Sequence, residues 1–101
     1  MEYHKLVRDK IPALIEAQGE TPNIRILSDE EYTRCLEDKL DEEVREYHGD
    51  KNLQELADIL EVIYALVENQ GYTREELMSE YMRKHEARGG FSQKIFLISK
   101  G

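Results

Sequence analysis

Apolar positions recur at helical spacing in four stretches of this chain. Between residues 28 and 47, Tyr32, Leu36, Leu40, Val44 and Tyr47 fall on one stripe of a 3.6-residue period. From Leu53 to Val67 apolar side chains occur nearly all round the helix: Leu56, Ala57, Ile59, Leu60, Val62 and Ile63 follow one another with few interruptions. Such a helix is normally buried on most sides. Ala13, Leu14 and Ile15 predict a short helix over 9–18. Leu77, Tyr81, Met78 and Met82 give an inward face to a helix from 73 to about 87.

Boundary signals agree with this reading. Asp9 suits the first N-cap, Pro12 is tolerated in the first turn, and Gly19 suits the C-terminal end. Ser28 with Glu31, and Thr73 with Glu76, are capping boxes. Gly49 is expected to end the second helix, with Asp50 or Asn52 capping the third and Gly71 following it. Gly89-Gly90 closes the fourth. Two stretches read differently. Ile24 to Leu27 is short and β-branched, and Phe91 to Ile98 alternates weakly, so each predicts a short strand that pairs with the other or with another subunit. The expected fold class is mainly all-α. It is an antiparallel bundle of about four helices in a single domain, 1–101, with short strands in a loop and near the terminus.

Charges interrupt the pattern in an informative place. At about 100° per residue, Glu43 projects near the middle of the apolar stripe and Glu46 at its edge. Glu55, Asp58 and Glu61 are the only charges of the third helix before Glu68. Glu43 with Glu46, and Glu55 with Asp58, each lie three residues apart and share a helix face. If the two helices form a hairpin, four carboxylates converge. A core does not tolerate uncompensated charges. A hard divalent cation offsets them, and an all-oxygen set suits Mg²⁺ or Mn²⁺. The bland alternative stays open at this point. With 22 acidic residues in 101, such pairs arise by chance on a solvated face, and Mg²⁺ then changes neither stability nor activity.

Composition narrows the choice of partner. The net charge of −8 argues against nucleic acid, whose phosphates select basic faces. It fits a cation or a metal–polyphosphate complex. The single cysteine, Cys35, leaves no internal disulfide and fits a reducing cytoplasm. No CxxC or HxxxH spacing occurs, and His4, His48 and His85 are scattered. No run reaches membrane-span length and no secretory signal opens the chain, so a cytoplasmic protein with no membrane partner is expected.

Basic residues cluster as Lys5, Arg8 and Lys10 near the start, as Lys39 on the second helix, and as Lys84 with Arg88 on the fourth. An acidic metal site beside separate basic clusters is what hydrolysis of a phosphoanhydride needs. The cation neutralises the polyphosphate, and side chains of opposite charge hold its outer phosphates. No GxxxxGK[ST] loop offers an alternative cradle.

Glu42-Glu43-x-x-Glu46 followed by Glu55-x-x-Asp58 resembles the signature of the all-α nucleoside triphosphate pyrophosphatases, the MazG-like superfamily. Phosphoribosyl-ATP pyrophosphohydrolase belongs to the same group. Lys5-Leu6-Val7-Arg8-Asp9-Lys10-Ile11-Pro12 and Arg88-Gly89-Gly90-Phe91 resemble a small single-domain subgroup, so the likeness spans nearly the whole chain. It implies an Mg²⁺-dependent hydrolase that cleaves the α–β phosphoanhydride to a nucleoside monophosphate and pyrophosphate, clearing noncanonical or surplus nucleotides. Glu43, Glu46, Glu55 and Asp58 would ligate the metal, and Glu42, Glu46 and Lys39 would form the catalytic set. Lys5, Arg8, Lys10, Lys39, Lys84 and Arg88 would bind phosphates. A homodimer or homotetramer is implied, with sites near subunit interfaces. Only residues 47 to 54 separate the two carboxylate pairs, a connection shorter than in many members. Phosphoribosyl-ATP as substrate, and a nucleotide sensor without turnover, remain as alternatives.

Overall fold

The computed structural model describes residues 4–101. The fold is all-α, with α1 (Ile11–Ala17), α2 (Asp29–Asp50), α3 (Leu53–Asn69) and α4 (Arg74–Arg88). The caps explain most boundaries. The Ser28 hydroxyl accepts from the Glu31 N–H at 3.3 Å, while the Glu31 carboxylate accepts from the Ser28 N–H at 3.2 Å. Thr73 and Glu76 reciprocate in the same way at 3.1 and 3.0 Å. Each box satisfies two amide donors that a helix start leaves unpaired. Pro12 lies in the first turn of α1 as expected, but Lys10 rather than Asp9 occupies the N-cap position, without a side-chain cap.

The tip between α2 and α3 is tighter than the sequence suggests. Gly49 does not end α2, which runs on to Asp50. The chain reverses at Lys51, in the left-handed region at φ 51°, whose N–H donates to the Tyr47 carbonyl at 2.7 Å. Asn52, not Asp50, caps α3 by accepting from the Glu55 N–H at 3.0 Å. Two residues thus join the helices, and a link that short forces them antiparallel.

Packing concentrates in this α2–α3 hairpin. Leu36 and Val62 are its buried apolar residues, and Leu36 is only 3% exposed. Toward the open end, Asn69 donates to the Thr33 hydroxyl at 3.0 Å across the two helices. Gly71, at φ 88°, breaks α3 and admits the turn into α4. There the Arg74 guanidinium lies 4.2 Å from the centre of the Tyr64 ring. Only the start of α4 meets α3, and Leu77 is its one partly buried side chain.

Three sequence expectations need correction. No strand occurs among the described residues. Ile24–Leu27 and Phe91–Ile98 carry strand-like composition, but neither has a neighbouring strand to complete a ladder, and an isolated strand has no stability in water. Met78, Tyr81 and Met82 do not form a core; each stands about half exposed on α4. Nor is α3 enclosed: Leu53, Leu56 and Leu60 face outward along the side that α2 leaves open. The radius of gyration is 18.0 Å and the longest dimension 62 Å, against about 13 Å expected for a compact chain this long. No helix among the described residues is long and apolar enough to cross a membrane.

Candidate metal centre

The hairpin sets carboxylates from both helices against one another. One oxygen each from Glu43, Glu55 and Asp58 lies within 4.8 Å of the other two. Glu42, Glu43 and Glu46 make a second such triad along α2. Glu43 belongs to both. The four expected ligands are therefore joined through Glu43 rather than closing as one set, and Glu46 is the exposed outer member.

Glu43 is the unusual residue. It is only 6% exposed, a carboxylate in the position of a core residue. Its Oε1 lies 3.4 Å from the Lys39 ammonium, but its Oε2 has no hydrogen-bond partner, and Glu55 Oε2 is likewise buried and unpartnered. A buried acceptor without a donor costs about 1–3 kcal/mol. Burial raises the Glu43 pKa above the usual carboxylate range, as does the neighbouring Glu46, against the pull of Lys39. Glu55 is raised too, first by burial and then by the negative charges of Asp50, Asp58 and Glu43. Asp50 is thus a close charged neighbour of Glu55. That contact was hidden in the sequence, where Asp50 reads as a helix cap. The tight tip brings it across instead.

These features test the fit of a hard cation. Two buried carboxylate oxygens of the cluster have no donor, and every candidate ligand is a carboxylate oxygen. That donor set suits Mg²⁺ or Mn²⁺. The residues present fit such an ion.

Two cations border the cluster. Lys39 is largely covered and spans Glu42 and Glu43, at 3.4 Å from each. Arg8 arrives from the N-terminal segment and bridges two carboxylates of α3: Asp58 at 2.6 Å and Glu61 at 3.2 Å. Glu61, ambiguous in the sequence, thus belongs to the rim of the site through Arg8. The second oxygen of Asp58 is outside this pair. Leu6 and Val7 follow the guanidinium into a groove of about 240 Å³, walled by Tyr32, Lys39, Glu43 and Asp58. A larger hollow of about 460 Å³ lies between α3 and α4, lined by Val67, Tyr72 and Leu77 with Glu76 and Glu80. It holds no convergent cluster, and the chemistry belongs to the smaller groove.

The remaining expected cations stand elsewhere. Lys5 and Lys10 flank the strap that carries Arg8 and do not line the groove. Lys84 and Arg88 sit on the exposed far half of α4. The Glu80 carboxyl of the same helix is held below its usual range, chiefly by its hydrogen bond to Arg83 and to a lesser degree by Lys84 and Arg88. Within one chain the structure does not bring them to the carboxylates.

Comparison with known proteins adds little. No family model matches the chain, and no solved structure matches it. An uncharacterized protein of Mycolicibacterium smegmatis is 64% identical over 42 residues, a stretch covering 42% of this chain and 43% of that protein.

Proposed function

We propose that this chain is an Mg²⁺-dependent nucleoside triphosphate pyrophosphohydrolase, releasing a nucleoside monophosphate and pyrophosphate. The observation that carries the reading is Glu43: a buried carboxylate with a free oxygen, facing Glu55 and Asp58 across a hairpin. A structural core gains nothing from that arrangement, whereas a metal–polyphosphate site requires it.

Glu43, Glu55 and Asp58 would hold the ion, with Glu46 joining from the outer triad. A bound Mg²⁺ would supply charge neutralisation at the bridging phosphates. The residues do the rest. Glu42, beside Glu43 and tethered to Lys39 at 3.4 Å, orients the attacking water and accepts its proton. Water adds at one phosphorus of the α–β bridge, the bond from that phosphorus to the bridging oxygen breaks, and the group on the other side of the bridge departs with the electron pair. Lys39 and Arg8 are the cations near enough to bind phosphate oxygens. Arg8 would relax its hold on Glu61 to do so, since Arg forks suit phosphate as well as carboxylate.

The test is release of pyrophosphate from a panel of nucleoside triphosphates with and without Mg²⁺, with Glu43→Gln as control. Pyrophosphate and monophosphate in equal amounts, lost in the control, are expected. Turnover of phosphoribosyl-ATP alone would reassign the substrate. Mg²⁺ binding without turnover of any of these would replace the enzyme by a nucleotide sensor.

A further inference from the structure

The two cations beside the carboxylates are held in different ways. Lys39 grows from α2 itself, is largely covered, and its ammonium lies 3.4 Å from both Glu42 and Glu43. Arg8 comes from the segment ahead of α1, and its side chain is 53% exposed. That segment has no helix or strand of its own, and α1, which follows it, is not packed against α2, α3 or α4. The Arg8 guanidinium crosses to α3, donating to Asp58 at 2.6 Å and to Glu61 at 3.2 Å. Exposed ion pairs of this kind cost little to break. Arg8 is therefore the cation of the site that is free to change partners.

Its position matters because Asp58 is a candidate ligand. Asp58 shares the cluster with Glu43 and Glu55, so the guanidinium stands one carboxylate away from where an ion would sit. A positive charge there repels a bare divalent cation, whichever Asp58 oxygen the ion takes. The same charge attracts a polyphosphate, and the planar fork that grips carboxylates fits phosphate oxygens equally well. A metal that arrives on a polyphosphate brings an anion for Arg8. A metal that arrives alone brings none.

We propose that Arg8 is a positioning residue and the built-in counter-ion of the cluster: it holds Asp58 in the metal-free protein, opposes the free cation, and moves to the phosphates when metal and polyphosphate arrive together. The site then selects the metal–polyphosphate complex over either component. Metal and polyphosphate favour each other's binding reciprocally, and Arg8 sets how strongly. If Arg8 instead only braced Asp58 as a ligand, its removal would loosen the metal, the opposite outcome. The inference rests on the metal centre proposed above but not on turnover.

Equilibrium dialysis of the full chain tests this. It measures protein-bound Mn²⁺, alone and with inorganic tripolyphosphate, and bound phosphorus beside it. Wild type is compared with Arg8→Gln and Arg8→Lys. Circular dichroism should show unchanged helicity in both, since Arg8 lies outside every helix. Arg8→Gln is expected to bind Mn²⁺ alone about 10-fold tighter than wild type, and the mutual enhancement between Mn²⁺ and tripolyphosphate should fall by about 10-fold. Arg8→Lys keeps the charge, so it should stay close to wild type for Mn²⁺ alone, while its lack of a fork leaves only part of the enhancement. An Arg8→Gln protein that binds Mn²⁺ no tighter, or that keeps the full enhancement, would overturn the inference and leave the metal centre standing. No bound Mn²⁺ on wild type or either variant, with or without tripolyphosphate, would remove the metal centre and this inference together. The expected coupling without pyrophosphate release from any nucleotide would support this role of Arg8 and reject the hydrolase.

Discussion

The α2–α3 hairpin and the segment after α4 break the same rule in opposite directions. In the hairpin a carboxylate, Glu43, occupies a core position. After α4, Phe91 and Ile95 to Ile98 put large apolar side chains into water. Each inversion names the chemistry of its complement. A buried carboxylate oxygen with no donor asks for a cation; an exposed run of Phe, Ile and Leu asks for another apolar surface. The two are also independent. The carboxylates are set by the packed α2–α3 pair, whereas residues 89–101 are exposed throughout.

The largest effect separates the two regions by stability. Leu36→Ala empties a site at the centre of the hairpin and should cost about 2–5 kcal/mol. Leu97→Ala, equal in chemistry but at a side chain 75% exposed, should change the unfolding free energy by no more than about 0.5 kcal/mol. Urea melts of both variants at low concentration decide this; equal losses would erase the distinction between the regions.

Next is the metal. Glu43→Gln should reduce Mg²⁺-dependent turnover by roughly 100-fold or more. It should also raise the metal-free melting temperature by several degrees, ~1 kcal/mol being worth about 4–8 °C in a chain this size. Asp58→Asn should abolish turnover similarly, but without the gain in stability, because Asp58 already has Arg8 at 2.6 Å. Calorimetric melts in EDTA distinguish them. A Glu43→Gln protein that melts lower than wild type would mean that the carboxylate is satisfied as it stands.

A smaller effect is the pH dependence of the metal-free hairpin. Glu43 and Glu55 have pKa values raised by burial and by neighbouring carboxylates. A raised carboxyl pKa contributes stability that is complete below the unfolded value of 4.5 and is lost as pH rises through the folded value. The metal-free protein should therefore melt higher near pH 5 than near pH 7, and Glu43→Gln should flatten that difference. On the proposed reading Mg²⁺ would reverse the sign, since a bound cation favours the deprotonated oxygens. A metal-free stability that climbs from pH 5 to pH 7 would contradict the burial of these groups.

The smallest effect calibrates the others at a solvated site. Glu31, held by Arg25 at 2.7 and 3.1 Å and by the Ser28 cap, has its carboxyl pKa lowered from 4.5 to about 2, chiefly by the Arg25 hydrogen bonds. Its contribution is present above pH 4.5 and fades as pH falls toward 2, opposite in sign to Glu43. An NMR titration should find Glu31 ionised well below the other exposed carboxylates, and Arg25→Ala should return it most of the way, with little change in melting temperature.

The sequence made the hairpin legible because its information is local. Ser28 with Glu31, Thr73 with Glu76, and Asn52 before Leu53 announce helix starts through bonds made within four residues. Glu43 was conspicuous because it broke a stripe. Arg8 was visible as a cation but its partners, Asp58 and Glu61, lie some 50 residues away, a distance no periodicity spans. Asp50 was misread because a cap and a site neighbour look alike before the tip is built. Met78, Tyr81 and Met82 were misplaced for a deeper reason. An apolar face says that a residue will be covered, not which chain will cover it. The same holds for Phe91 to Ile98, where alternation suggested a ladder the chain does not contain.

The two-residue link at Lys51-Asn52 governs more than the direction of the chain. Surface loops ordinarily accept insertions freely. Here one added residue that extended either helix would rotate it by about 100° relative to its partner, turning Glu55 and Asp58 away from Glu43 while leaving caps and composition untouched. The tip acts as a gauge block. In this chain, insertions between α1 and α2 should therefore be tolerated, whereas one that lengthens either helix at the tip should throw its carboxylates out of register.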